Sequence, residues 1–243
     1  MLSRMLIGLI TLLLLSIGAN VVLVDHTLKR YREVNEVRLT PLGLHRYGSS
    51  HSAKTDPSQR RVLFFGDSRA EAWPFPIAAE FEFVNRGIGS QTTAQIRGRF
   101  AEHVVPVEPD IMVLQLGVND LKTISLFPEK RNEIVANCKA NIQWIVEESK
   151  ALGAEVILTT VFSRGPIPFR RQWVWTNDVD EAILELNEYI FTLASDSVTI
   201  LDAKSLLSGD NFLTDSQYRL DMLHINEDGY ELLNEALLAQ LAE

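Results

Sequence analysis

The chain has 243 residues, 46% of them hydrophobic, and a formal net charge of −9, which is enough to bury one full core in a single domain. The charge is uneven: residues 25–61 are net basic and residues 62–243 strongly acidic, so nucleic acid is excluded as a partner of the globular part. A lone cysteine, Cys138, excludes an internal disulfide framework and a cysteine-rich metal site, and its place in a helical pattern marks it as a small core residue.

Residues 5–24 carry no charged side chain, and about 20 residues of helix cross a bilayer core. Arg4 gives the short basic start of a signal peptide, but the apolar run is long for that role and no small-x-small cleavage site follows. Residues 1–24 are therefore read as an uncleaved membrane anchor, with a signal peptide as the competitor. The flank beyond carries Lys29, Arg30, Arg32 and Arg38 against Arg4 before it, and the positive-inside rule then leans toward a cytoplasmic body. A basic segment beside a membrane also holds anionic head groups. Residues 25–60, with Pro41, Gly43, Gly48, the run Ser49-Ser50-His51-Ser52 and Pro57, read as a tether. His26, His45 and His51 lie in it at spacings that do not suggest a metal site.

From residue 61 strand-like and helix-like runs alternate. Strands are expected at 62–65, 81–85, 111–116, 156–161 and 198–201, and helices at 92–104, 129–152, 178–194 and 226–241. This order implies parallel strands, right-handed crossovers and helices on both faces. Chemistry in such a sheet gathers beyond the carboxyl ends of the strands.

Those ends are polar here. The first strand runs into Gly66-Asp67-Ser68, a strand-to-helix turn whose free N–H groups point at whatever occupies it. Asp67 or Ser68 could equally serve only as a helix cap. The second strand ends in Asn85-Arg86-Gly87-Ile88-Gly89-Ser90-Gln91-Thr92, a loop whose backbone N–H groups could face an anion. The third ends in Gly117-Val118-Asn119-Asp120, and the Asn119 amide is an uncharged donor suited to an oxyanion. Near the carboxyl terminus, Asp221 precedes His224 by three residues. A lone histidine is more often structural than catalytic, but three of the five fall in the tether and His103 in a helical stretch. If Ser68 has a general base it is therefore His224, whose tautomer Asp221 could fix.

These blocks resemble those of the SGNH/GDSL hydrolases: Gly66-Asp67-Ser68, the loop from Asn85 to Gln91, Gly117-Val118-Asn119-Asp120 and Asp221-Met222-Leu223-His224, in the family's order and across residues 61–243. The resemblance implies a three-layer α/β/α, flavodoxin-like sandwich with a mostly parallel sheet of about five strands. It also implies a serine esterase without metal or other cofactor, with Ser68, His224 and Asp221 as the catalytic set. The oxyanion would be held by the Ser68 N–H, the loop backbone and Asn119. Counting five residues on from Asn85, where relatives have glycine, places the loop donor at Ser90, with Gly89 beside it as the alternative. Many relatives are exported, which favours an extracytoplasmic body attached through the first helix.

Arg69 stands where relatives often carry an apolar residue; it either draws an anionic substrate or points away. Phe169, Arg170, Arg171, Trp173 and Trp175 either rim the substrate pocket or pack under a long loop. The expected function is a membrane-tethered esterase acting on acetylated carbohydrate or lysophospholipid. Acyl transfer by the same residues and a non-catalytic binding module are the alternatives, and the oligomeric state is left open.

Overall fold

The apolar run at residues 62–65 lies in β1 (Arg60–Gly66), an interior strand of a five-stranded sheet. The structure is a computed structural model and describes residues 2–47, 56–209 and 211–242. The other strands are β2 (Phe81–Asn85), β3 (Ile111–Gln115), β4 (Glu155–Thr159) and β5 (Val198–Leu201), in the order β2-β1-β3-β4-β5. All four pairings are parallel. Phe64 lies opposite both Asn85 and Val113, so the first three strands end nearly level and their loops leave from one edge. The chain turns one way from β1 to β2 and the other way to β3, and this reversal opens a crevice at that edge.

Side chains alternate across β1. Leu63 and Phe65 join Met112, Leu114, Ile96, Cys138, Ile142 and Leu186 on one face, while Val62 and Phe64 join Val113, Leu207, Leu233 and Leu237 on the other. Both faces are buried, which is why the strand reads as a continuous apolar run. Each such side chain contributes about 1.5–3 kcal/mol through burial.

The helices that cover the sheet are α2 (Ser68–Glu71), α3 (Thr93–Gly98), α4 (Phe100–His103), α5 (Val118–Leu121), α6 (Arg131–Ala151), α7 (Asn177–Phe191), α8 (Ala203–Ser208) and α9 (Glu227–Leu241), where α1 is the first helix of the chain, Leu2–Leu39. Residues from α3, α6 and α7 line the first face and residues from α8 and α9 the second. The helix expected at 92–104 is broken between α3 and α4. Gly98 weakens it there, and Arg99 turns inward with its guanidinium fully buried. β3 and β4 end at Gln115 and Thr159, before residues 116 and 161.

The chain divides into two compact units, one reaching Gly43 and the other beginning at Leu44. The first unit is essentially α1, one helix long and apolar enough to cross a membrane by length and composition. Its polar side chains bond back to its own carbonyls, as Thr11 does to Ile7 and Asn20 to Ser16. The helix does not stop at residue 24. Charged pairs such as Lys29 with Asp25 and Arg30 with Glu33 support it beyond the apolar stretch, so residues 25–39 are helix rather than loose connector. Pro41 follows its end. Gly48 and residues 49–52, expected in the tether, lie outside the described residues.

Candidate active site

Gly66 closes β1 against the neighbouring strand: a Cβ there would lie 1.9 Å from the Gln115 carbonyl oxygen, so only glycine fits. Asp67 then caps α2, its carboxylate accepting the Arg69 N–H at 2.9 Å. Asp67 is fully buried and burial pushes its carboxyl up. Ser68 is the first residue of α2, a position whose N–H has no partner within the helix.

The Ser68 hydroxyl lies 3.0 Å from His224 Nε2. His224 Nδ1 lies 3.1 and 3.0 Å from the two Asp221 oxygens. Asp221 Oδ1 also accepts the backbone N–H groups of Leu223 and His224. Burial tends to raise the Asp221 carboxyl, but these hydrogen bonds outweigh it and hold it below the ordinary carboxylate range. The Asp221–His224 stretch is a turn closed on itself, with the Leu220 and Asp221 N–H groups both directed at the His224 carbonyl. Ile225 pairs in an antiparallel bridge with Arg219. A hydroxyl on one imidazole nitrogen and a carboxylate on the other form an activated nucleophile.

Arg69 does not face this site. Its buried guanidinium stacks 3.6 Å from the Phe162 ring centroid and donates to the carbonyls of Phe162 and Leu223, each at 3.0 Å. Burial lowers its pKa to about 10. Of the two readings of Arg69, the structure gives the inward one, and its bond to Leu223 fastens the residue just before His224.

The loop after β2 runs against α2. Asn85 Nδ2 donates to the Ala70 carbonyl at 2.7 Å, and Asn85 Oδ1 accepts the Gly87 N–H at 2.7 Å. A Cβ on Gly87 would meet the Glu71 backbone nitrogen at 2.2 Å, and one on Gly89 would stand 3.7 Å from the Ser68 Cβ. The Gly89 N–H donates to Glu71 Oε2 at 2.9 Å. Among the described residues the Ser90 N–H makes no hydrogen bond. Ser90 adopts φ 65°, the left-handed region that L-residues enter at a cost of about 1–2 kcal/mol.

Asn119, on α5, is buried. Its Nδ2 donates to the Gln91 carbonyl at 3.0 Å, and its Oδ1 accepts from Lys122 Nζ at 2.6 Å. An ammonium only donates, so this bond fixes which end of the amide faces the loop. Burial pushes the Lys122 ammonium below its usual range. Asp120 accepts the N–H and hydroxyl of Thr93 at 2.8 and 2.6 Å. Burial raises its carboxyl to about 6, with the Thr93 bonds opposing.

The site therefore brings Ser68, His224 and Asp221 into one hydrogen-bonded line, and ties the Ser90 loop and Asn119 to each other through Gln91. Sequence reasoning missed Glu71, Arg99 and Lys122. Glu71 is one helical turn from Ser68 and Lys122 one turn from Asn119, a spacing that places each on its partner's face. Arg99 gave no such signal. It donates to Gly66 O at 2.9 Å, Arg86 O at 2.7 Å and Gln91 Oε1 at 2.5 Å, and burial lowers its pKa to about 9. The aromatic segment splits. Trp175 is 4% exposed, with its Nε1 on Asp180, whereas Trp173 and Phe169 are 83% and 79% exposed. Among the described residues no group of three or more His, Cys, Asp or Glu side chains could hold a metal ion.

The sequence profile of the GDSL-like lipase/acylhydrolase family matches residues 47–232. No curated protein matches the chain. Among solved structures, a candidate acylhydrolase from Bacteroides fragilis is 24% identical with a TM-score of 0.63, covering 83% of this chain and 96% of its own. A GDSL-like lipase from Bacteroides thetaiotaomicron is 22% identical with a TM-score of 0.63, covering 83% and 98%. An acetylxylan esterase from Geobacillus stearothermophilus is 18% identical with a TM-score of 0.54, covering 76% and 95%. These likenesses establish the α/β fold.

Proposed function

The chain belongs to the GDSL-like lipase/acylhydrolase family and is a hydrolase of ester bonds, and from that premise we propose that it is a membrane-tethered serine esterase whose catalytic set is Ser68, His224 and Asp221. Ser68 Oγ attacks the acyl carbonyl while His224 Nε2 takes its proton. Asp221 holds the imidazole through Nδ1 and stabilises the imidazolium that forms. The imidazolium then returns the proton to the leaving alcohol, and a water activated by the same ring releases the acyl group. The carbonyl oxygen becomes an oxyanion facing the Ser68 N–H, the Ser90 N–H and the Asn119 amide. The observation that carries this reading is the 3.0 Å approach of Ser68 Oγ to a histidine whose other nitrogen lies 3.0 Å from a carboxylate.

The loop donor is assigned to Ser90 because the Gly89 N–H is already taken by Glu71. Attachment through α1 rests on its length and apolar composition, and the extracytoplasmic side on the export of many relatives. The substrate class is an ester-linked acyl group on carbohydrate or on a lysophospholipid. The named activities of the solved relatives, a lipase and an acetylxylan esterase, support both.

The test is acyl release by the full chain in detergent from acetylated xylooligosaccharide and from a lysophospholipid, beside Ser68→Ala. Release from one of the two that disappears with Ser68 supports the reading and selects the substrate. Release from neither by folded protein would sink it.

A further inference from the structure

Leu44–Arg46 form one turn of 3-10 helix, and with Tyr47 they belong to the unit that contains the sheet, although the sequence marks this stretch as connector. Their contacts converge on the loop after β2 and its supports. The Tyr47 hydroxyl donates to the Gly87 carbonyl at 2.6 Å. The Arg86 guanidinium lies 4.7 Å from the centroid of the Tyr47 ring, and the His103 ring meets it edge-on at 5.4 Å. Arg46 Nη2 donates to Glu71 Oε1 at 2.5 Å, and the other Glu71 oxygen holds the Gly89 N–H at 2.9 Å.

His103 completes the frame from inside. Its Nδ1 is 3.3 Å from Arg99 Nη1 and its Nε2 is 3.3 Å from the Leu44 carbonyl. A guanidinium only donates, so Nδ1 is the acceptor and the ring proton sits on Nε2, facing Leu44 O. The Nδ1 bond therefore needs the neutral ring, whereas Nε2–H donates to Leu44 in either form, and burial lowers the His103 pKa toward the neutral state. Burial likewise raises the Tyr47 pKa, which keeps its hydroxyl a donor. Residues 86–89, which lead into Ser90, are thus braced by residues 44–47 on one side and by Arg99 on the other.

Resting on the reading of Ser90 as an oxyanion donor, we propose that Tyr47 and Arg46 are positioning residues for that loop, which makes residues 44–47 a part of the catalytic unit. Neither residue touches the reacting atoms. Tyr47 acts through Gly87, and Arg46 acts through Glu71 on Gly89. The Arg46 pair is partly exposed and is weak alone, so Tyr47 is the stronger of the two.

The experiment uses the full chain in detergent with a chromogenic acetyl ester, comparing wild type with Tyr47→Phe, Arg46→Ala, Arg46→Lys and Ser68→Ala. Amide exchange over residues 85–91 is followed in parallel. Tyr47→Phe is expected to lower kcat about tenfold with KM changed less than about twofold, since small misplacement of a transition-state donor costs rate rather than binding. Arg46→Ala is expected to lower kcat about threefold, and Arg46→Lys to recover most of that loss. Faster exchange at Gly89 and Ser90 in Tyr47→Phe, at an unchanged melting temperature, supports the proposal whatever the ester turnover. Ser68-dependent turnover and loop exchange that both match wild type in Tyr47→Phe and Arg46→Ala would overturn it. Turnover that survives Ser68→Ala would instead tell against the esterase reading, and the exchange comparison would still decide the role of Tyr47.

Discussion

The two halves of the candidate site are built in different ways. Ser68, His224 and Asp221 meet through direct side-chain bonds, and the acid and base sit on one self-closed turn. The loop that carries Ser90 has little structure of its own and is held from outside by Tyr47, Glu71, Arg99 and Asn119. A proton-transfer group needs a hydrogen bond to its partner, which a local turn supplies. A backbone N–H aimed at a developing charge needs a fixed loop, and several distant residues fix this one. Single changes should therefore be abrupt in the first half and graded in the second.

The largest effect is expected from His224→Ala, with kcat reduced about 10⁴-fold or more and a melting temperature within a few degrees of wild type. Near-normal turnover would mean that the base is misassigned. Asn119→Ala should lower kcat about 10²–10³-fold, as for loss of one oxyanion donor, with KM changed far less. A loss confined to KM would remove Asn119 from the oxyanion site.

Asp120 joins the end of β3 to the start of α3 and tests the loop half through stability. Its carboxyl keeps its proton up to about pH 6 in the folded chain, whereas an unfolded aspartate releases it near pH 4. Between those values the folded state holds more protons, so the wild type loses stability as pH rises, by about 3 kcal/mol in all. In Asp120→Asn that slope should be missing, and its stability relative to wild type should climb from pH 4 to pH 6 in denaturant titrations. A difference that stays flat with pH would contradict the burial of this carboxyl. Ser90→Gly should have the smallest effect. It keeps the N–H and relieves the left-handed strain, so turnover should stay within about twofold and stability should rise by no more than about 1 kcal/mol. A severe loss of turnover would show that the Ser90 side chain takes part in the chemistry.

The same contrast governs what could be read from sequence. Ser68, Asn119 and His224 stand at strand ends or helix starts, where the local pattern already places them at the sheet edge. The parallel order followed from alternating strand and helix runs. Arg99 falls inside the helix expected at 92–104, and nothing local reveals that it folds inward to a carbonyl 33 residues away. Tyr47 reaches a carbonyl 40 residues away from a stretch whose glycine and proline content marks a connector. Arg69 was ambiguous because its side-chain direction is set by Phe162 and Leu223, which only the folded chain brings near. Short helices such as α8 carry too few turns for a periodic signal.

The central claim is that Ser68 is an activated nucleophile, and covalent labelling of the folded full chain by a fluorophosphonate tests it most directly. The account predicts one adduct, mapped to Ser68, lost in Ser68→Ala and formed far more slowly in His224→Ala. A folded chain that takes no label, or takes it at a residue other than Ser68, would contradict it.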